Sequence, residues 1–225
     1  MINYKINPNF SVNLGFDVSY KEVLAAVESL NAFLSSLPSN LYGSIDFKTT
    51  GAMIGAIFCS KLVEQIPNST INPIEKGHPD IIPLSGKNST EEVLRNYPVG
   101  LEIKGTIGNL KTGANLRAGQ MRIHSLTSIT WQAHHREVNH LMGIVWDFVN
   151  QIDSFYFPAI TGVFFSNELN SDDWGKISGT TGRNTKVTGM RSSGKQKMGQ
   201  GVVLVYDNDD YLKKYSWLLN FTNIE

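Results

Sequence analysis

Leu141-Met142-Gly143-Ile144-Val145-Trp146-Asp147-Phe148-Val149 is nearly continuously apolar, and its reading decides the fold. A strand with one face in water alternates polar and apolar side chains; a strand covered on both faces does not. Nine residues with a single charge among them therefore predict a central strand packed between two other layers. Working outward, residues 159–165, just after Pro158, and 201–206 predict further strands, and 209–218 a short helix. Toward the amino terminus, Ser19-Tyr20-Lys21-Glu22 opens a helical pattern, with Val23, Leu24, Val27, Leu30 and Leu34 at helical spacing. Thr49-Thr50 precede a second helix over 51–65, where Ile54, Phe58 and Leu62 form a stripe and Pro67 ends it. The glycine-rich residues 105–119 read as a loop or hairpin, 121–124 as a strand, and 130–139 as a helix with Thr130 as N-cap. The expected class is α/β (α+β), a central mixed β-sheet flanked by helices.

Two shorter stretches carry the chemistry. His78-Pro79-Asp80-Ile81-Ile82 is a β-branched run entered through a proline, and residues 99–106 alternate side chains as a strand does. In a strand, residues i and i+2 point to one side, so Glu102 and Lys104 share a face while Ile103 turns into the core. Mg2+ takes oxygen ligands in an octahedron and keeps several waters, so one or two carboxylates and a phosphate oxygen suffice to hold it. Asp80 and Glu102 would supply the carboxylates and the Ile103 carbonyl a third oxygen. Lys104 would orient or deprotonate an attacking water, or stabilise charge in the transition state.

Pro79-Asp80 followed by Glu102-x-Lys104 resembles the PD-(D/E)XK nuclease motif, and the chain's size resembles that of type II restriction endonucleases. The pattern covers roughly the middle third of the chain. The resemblance implies a restriction-endonuclease-like αβββαβ core, a Mg2+ cofactor, and hydrolysis of double-stranded DNA leaving 5′-phosphates within a restriction-modification system. A helix before the motif often gives an accessory carboxylate in this family, which makes Glu64 a further candidate metal ligand; a solvated helix-end glutamate is the other reading. A resolvase or repair nuclease would share the motif, and a non-catalytic DNA-binding module would keep only the basic surface.

The 225-residue chain has 20 basic and 20 acidic residues, so no global cationic footprint marks a nucleic-acid binder. The charges are nevertheless segregated. Residues 103–136 hold five basic and no acidic residues, and 174–206 hold six and none, so the two windows carry +11 against −11 on the rest. A surface of one sign focuses the field on a polyanion even when the sum vanishes. Two solvated basic loops in a neutral protein would give the same counts.

Within these windows Arg183, Asn184, Thr185 and Lys186, continuing to Arg191 and Lys195, are the candidates for touching DNA, since arginine pairs with guanine and asparagine with adenine in the major groove. Lys111, Asn115 and Arg117 form a second set, and Gln132, His134 and His135 a third, placed on the expected helix at 130–139. His134, His135 and His140 also suggest zinc, but adjacent residues on a helix point about 100° apart and no cysteine completes a tetrahedron.

With 41% hydrophobic and 18% charged residues, the chain reads as globular, and the resemblance implies a single nuclease domain over 1–225. Residues 1–70 form an N-terminal helical part, 71–170 the catalytic core, and 171–225 a basic DNA-contacting loop with a last strand and helix. Cys59 stands alone, which excludes an internal disulfide and fits a reducing cytosol. No secretory h-region and no apolar run of about 20 residues is present, so a cytoplasmic protein without membrane partners is expected. No organic small-molecule cofactor is implied, and a homodimer is expected because two symmetric sites explain a double-strand cut.

Overall fold

The computed structural model describes residues 2–111, 118–178 and 187–221. In chain order the elements are β1 (Tyr4–Ile6), β2 (Ser11–Asn13), β3 (Asp17–Ser19), α1 (Tyr20–Ser36), α2 (Ser39–Ser44), α3 (Phe47–Gln65), β4 (Ser69–Ile71), β5 (Ile81–Pro83), α4 (Glu91–Leu94) and β6 (Glu102–Thr106). There follow β7 (Asn109–Leu110), β8 (Leu126–Ser128), β9 (Gln132–Ala133), β10 (Leu141–Ile152), β11 (Phe155–Ser166), β12 (Thr188–Gly189), α5 (Ser192–Gln200), β13 (Val202–Tyr206) and α6 (Asp209–Leu219). The central sheet has the order β1-β13-β11-β10-β6. All its pairs are antiparallel except β6 with β10, so the sheet is mixed and β6 is an edge.

β10 is the strand covered on both sides. Met142, Ile144, Trp146 and Phe148 pack against α1 and α3, joined there by Val27, Leu30, Ile54 and Phe58. Leu141 and Val145 face the opposite core, with Met198 of α5, Tyr211 and Tyr215 of α6, and Trp131. Gly143 lies between these two, and a Cβ there would come within 2.4 Å of Trp131 Cε2. The indole fills the space a side chain would take, so this glycine is fixed by close approach.

The helices start where side chains satisfy their free N–H groups. Ser19 and Glu22 form a capping box at α1, with the Ser19 N–H donating to Glu22 Oε2 at 2.8 Å. Asp46 caps α3 by accepting from the Thr49 N–H at 2.7 Å, so that helix begins at Phe47, four residues before the start expected from Thr49-Thr50. The amino-terminal part is also not purely helical: β1 pairs with β13 and closes the far edge of the sheet.

Two sequence expectations are corrected between β6 and β10. Residues 121–124 form no strand; Ile123–Ser125 is a 3-10 turn. No helix forms over 130–139, so among the described residues between these strands the expected helix of an αβββαβ core is missing. Trp131 and Ala133 are buried while Gln132 and His134 are exposed, which is the period-two pattern of a strand, and β9 forms there against β12.

Arg122 anchors this excursion. It is 1% exposed, its Nε donates to Asp147 Oδ1 at 3.1 Å, and its guanidinium carbon lies 4.3, 4.6 and 4.8 Å from the ring centres of Phe47, Trp146 and Phe148. Asp147 Oδ2 accepts from the Arg122 N–H at 2.7 Å and from the Tyr211 hydroxyl at 2.9 Å. A buried charge is tolerated when it is paired and faced by aromatic rings. Among the described residues, no helix is long and apolar enough to cross a membrane.

Gly143→Ala is expected to cost about 1–3 kcal/mol in denaturant unfolding, from overpacking against Trp131. Gly43→Ala in α2, where an added Cβ meets nothing within 4 Å, is expected to gain up to about 1 kcal/mol. Equal effects at the two positions would remove the close-approach argument.

Candidate active site

Asp80 and Glu102 are brought together by one antiparallel bridge. Ile81 and Leu101 exchange both backbone hydrogen bonds, at 3.0 and 2.9 Å. One step out from such a pair, the register places residue 80 opposite residue 102, where side chains on facing strands stand closest. Gly100 makes the approach possible: its φ is +148° and a Cβ would lie 2.3 Å from the Ile81 carbonyl oxygen. Asp80 Oδ2 then accepts the Ile103 N–H at 2.8 Å, which fixes the carboxylate against the backbone between Glu102 and Lys104.

Glu102 is held on both sides. Lys104 Nζ lies 2.5 Å from Glu102 Oε1, and His78 Nδ1 lies 3.5 Å from Oε2. The first is a charge-assisted hydrogen bond and the second is longer than one. Glu102 is 3% exposed, and its Oε2, like His78 Nδ1, is buried without a hydrogen-bond partner.

These surroundings push the two carboxyls apart. Burial first, and the Glu102 charge second, raise Asp80 to about 6. Burial also opposes ionisation of Glu102, but His78 and Lys104 outweigh it and hold that carboxyl well below the usual range. Burial works against the Lys104 ammonium, yet the Glu102 and Asp80 charges raise its pKa above the ordinary lysine value. Lys104 is therefore a cation at neutral pH, and of the two roles expected for it, charge stabilisation or orientation fits better than proton abstraction.

Asp80 and Glu102 line different clefts. A cleft of about 590 Å³ runs between α3 and the sheet edge, lined by Lys48, Gly51, Gly55 and Cys59 on the helix and by Asp80 and Lys104 on the other side. A second, of about 350 Å³, is lined by His78, Tyr97, Glu102, His135 and His140. Cys59 is buried, and its thiol is pushed up by that burial and by the neighbouring carboxylates.

The other expected residues are distributed as follows. Ile103 is a core residue whose backbone N–H holds Asp80. Glu64 does not join the site: it pairs with Lys61 at 3.0 Å, its side chain is 49% exposed, and it lines neither cleft. The helix-end position sends it outward because the buried stripe of α3 runs through Ile54, Phe58 and Leu62. His134 and His135 sit in the non-helical segment beside His78, with ring centres 6.4 and 4.6 Å from it. The 100° helical argument about these imidazoles therefore does not apply, and His135 also approaches Glu137 Oε2 at 3.4 Å. Among the described residues, no group of three or more His, Cys, Asp or Glu side chains stands ready to hold a metal ion. Gln132, Lys111 and Arg191 are exposed, and Lys195 is half-buried near the start of α5. Asn115, Arg117, Arg183, Asn184, Thr185 and Lys186 lie outside the described residues.

His78 was not singled out by its spacing, although the rule that pairs Glu102 with Lys104 also pairs residues 78 and 80. Comparison with protein-family models, with curated proteins and with solved structures found no match.

Asp80 has a folded pKa above its ordinary one, so ionising it costs folding energy. That cost is absent below about pH 4, grows as the pH rises, and is complete above about pH 6. Asp80→Asn keeps an oxygen for the Ile103 N–H and removes the charge. It is expected to stabilise the fold by about 1–3 kcal/mol at pH 8 and by nothing at pH 4. Unfolding curves at the two pH values check this; a variant no more stable than the parent at pH 8 would contradict the opposed-carboxylate geometry.

Proposed function

We propose that this chain is a Mg2+-dependent endonuclease of the PD-(D/E)XK type, acting on double-stranded DNA as a restriction endonuclease does. The observation that carries the reading is the placement of Asp80 opposite Glu102 with the Lys104 ammonium 2.5 Å from one Glu102 oxygen. Two carboxylates forced together in a buried place are costly, and a fold that needed only stability would not keep them.

The donor set fits a hard divalent cation. Glu102 Oε2 is a buried carboxylate oxygen with no hydrogen bond, and burial first and the Glu102 charge second raise the Asp80 pKa, so a cation held by the two carboxylates would relieve both. The two carboxylates would hold Mg2+, with water and phosphate oxygens completing the shell. When bound, the ion supplies a polarised phosphate and a more acidic water. The chain's own residues do the rest. The Ile103 N–H orients Asp80, Lys104 presents positive charge where the phosphate gains negative charge, and the small residues of α3 leave the cleft open beside them.

In this reading exposed basic residues of the two acid-free windows, Lys111 and Arg191 among them, contact the phosphate backbone while Arg122 is spent inside the core, and products carry 5′-phosphates. Two copies on a two-fold symmetric DNA site would give a double-strand break. The restriction-endonuclease-like core is also part of the proposal: α3, β5, β6 and β10 supply its helix and strands, and the crossover from β6 to β10 lacks the expected helix. A cytoplasmic place in a restriction-modification system follows from the same reading.

Digestion of phage DNA in Mg2+ is expected to give discrete fragments. Asp80→Ala and Lys104→Ala are each expected to lower the cleavage rate at least about 100-fold, with DNA affinity in Ca2+ kept within a few-fold. A parent protein that binds DNA but cuts none of a broad panel of duplex, branched and damaged substrates would leave a non-catalytic DNA-binding module instead.

A further inference from the structure

The geometry points to a nitrogen-and-oxygen metal site between His78 Nδ1 and Glu102 Oε2, which takes a first-row transition ion such as Mn2+, Co2+ or Zn2+ in preference to Mg2+. The motif itself supplies no imidazole at this place. The inference deepens the nuclease reading, on which it rests for its catalytic meaning, by naming the ion that its glutamate prefers.

Both atoms are buried, and neither has a hydrogen-bond partner. They lie 3.5 Å apart, beyond the range of an N–H···O bond and short of ordinary separation by a water. An ion with bonds of about 2.1 Å to each would subtend roughly 110° between them, close to the tetrahedral angle. The two oxygens of Glu102 are divided: Oε1 is engaged by Lys104, and Oε2, the oxygen through which Glu102 would hold an ion with Asp80, is the one that lies beside His78. His78 is held in place by His135, whose ring meets it edge to face at 4.6 Å. The 350 Å³ cleft beside them is lined by His78, Glu102, His135 and His140 and would supply room for water or phosphate ligands once an ion displaces the two side chains slightly.

The selectivity follows from ligand chemistry. Mg2+ prefers oxygen and sheds water reluctantly, whereas imidazole nitrogen suits the later first-row ions, which bind such mixed sites more tightly. His78 would raise affinity for those ions while leaving that for Mg2+ nearly unchanged.

Co2+ alone, without DNA, tests this by calorimetry and visible absorption. The parent protein is expected to show intensified d–d bands of a nitrogen-ligated ion, and His78→Ala to lose them and to bind Co2+ at least about tenfold more weakly, with less than about a twofold change for Mg2+. Because His78→Ala could disturb folding, histidine ¹⁵N spectra of the unsubstituted protein are recorded with added Zn2+. A shift of the His78 Nδ1 resonance supports the site. Unshifted His78 nitrogens, or Co2+ binding identical in parent and variant, overturn it and leave a simple histidine–carboxylate ion pair. Co2+ ligation by His78 in a protein that cuts no DNA would sink the nuclease reading and keep this one; Mg2+-dependent cutting with Co2+ spectra indifferent to His78 would do the reverse.

Discussion

A single pair of backbone hydrogen bonds, between Ile81 and Leu101, sets the geometry of the whole candidate site. It joins the short β5 to the chain just before β6 at one residue, and everything chemical lies immediately beyond it. Gly100 permits the approach, since any side chain there would strike the Ile81 carbonyl. From this contact follow the facing positions of Asp80 and Glu102, the Ile103 N–H on Asp80, and the entry of His78 beside Glu102. Because β6 is the sheet's edge, these groups border open clefts instead of being covered by another strand.

The electrostatics are consistent with a place that trades stability for charge. Asp80 is driven toward its neutral form by burial and by Glu102, while Glu102 is kept ionised by Lys104 and His78. One carboxyl thus resists the charge that the other is made to keep. Lys104 is locked as a cation by the same two acids, and the thiol of Cys59, lining the cleft with Asp80, is held protonated. Such opposed shifts in a cleft mark a functional place more often than a structural one.

The parts of this arrangement visible in the sequence are those that depend on short-range periodicity. The apolar run at 141–149 lies within β10, the stripe from Val23 to Leu34 within α1, and residues 209–218 within α6. Glu102 and Lys104 share a side because a strand repeats every two residues, and that follows from spacing alone. The parts that were not visible depend on long-range contact. Residues 130–139 carry helix-compatible residues, but Trp131 is drawn into the gap at Gly143 and the segment becomes extended. Glu64 lies off the buried stripe of Ile54, Phe58 and Leu62, and only the packing of that stripe shows that its side chain ends in solvent beside Lys61. His78 gains its meaning only once the bridge folds it against Glu102.

The encapsulated guanidinium of Arg122 has a consequence for motion. Its Nη atoms have no hydrogen-bond partner in the interior, and it is surrounded by Phe47 at the start of α3 and by Trp146 and Phe148 of β10. Peeling the loop away would strand the Asp147 carboxylate and open a void among three rings at once. The described chain around Arg122, although largely irregular, is thereby riveted to the sheet. Fraying at Arg122 is coupled to loss of the core itself, so opening there costs as much as opening the core.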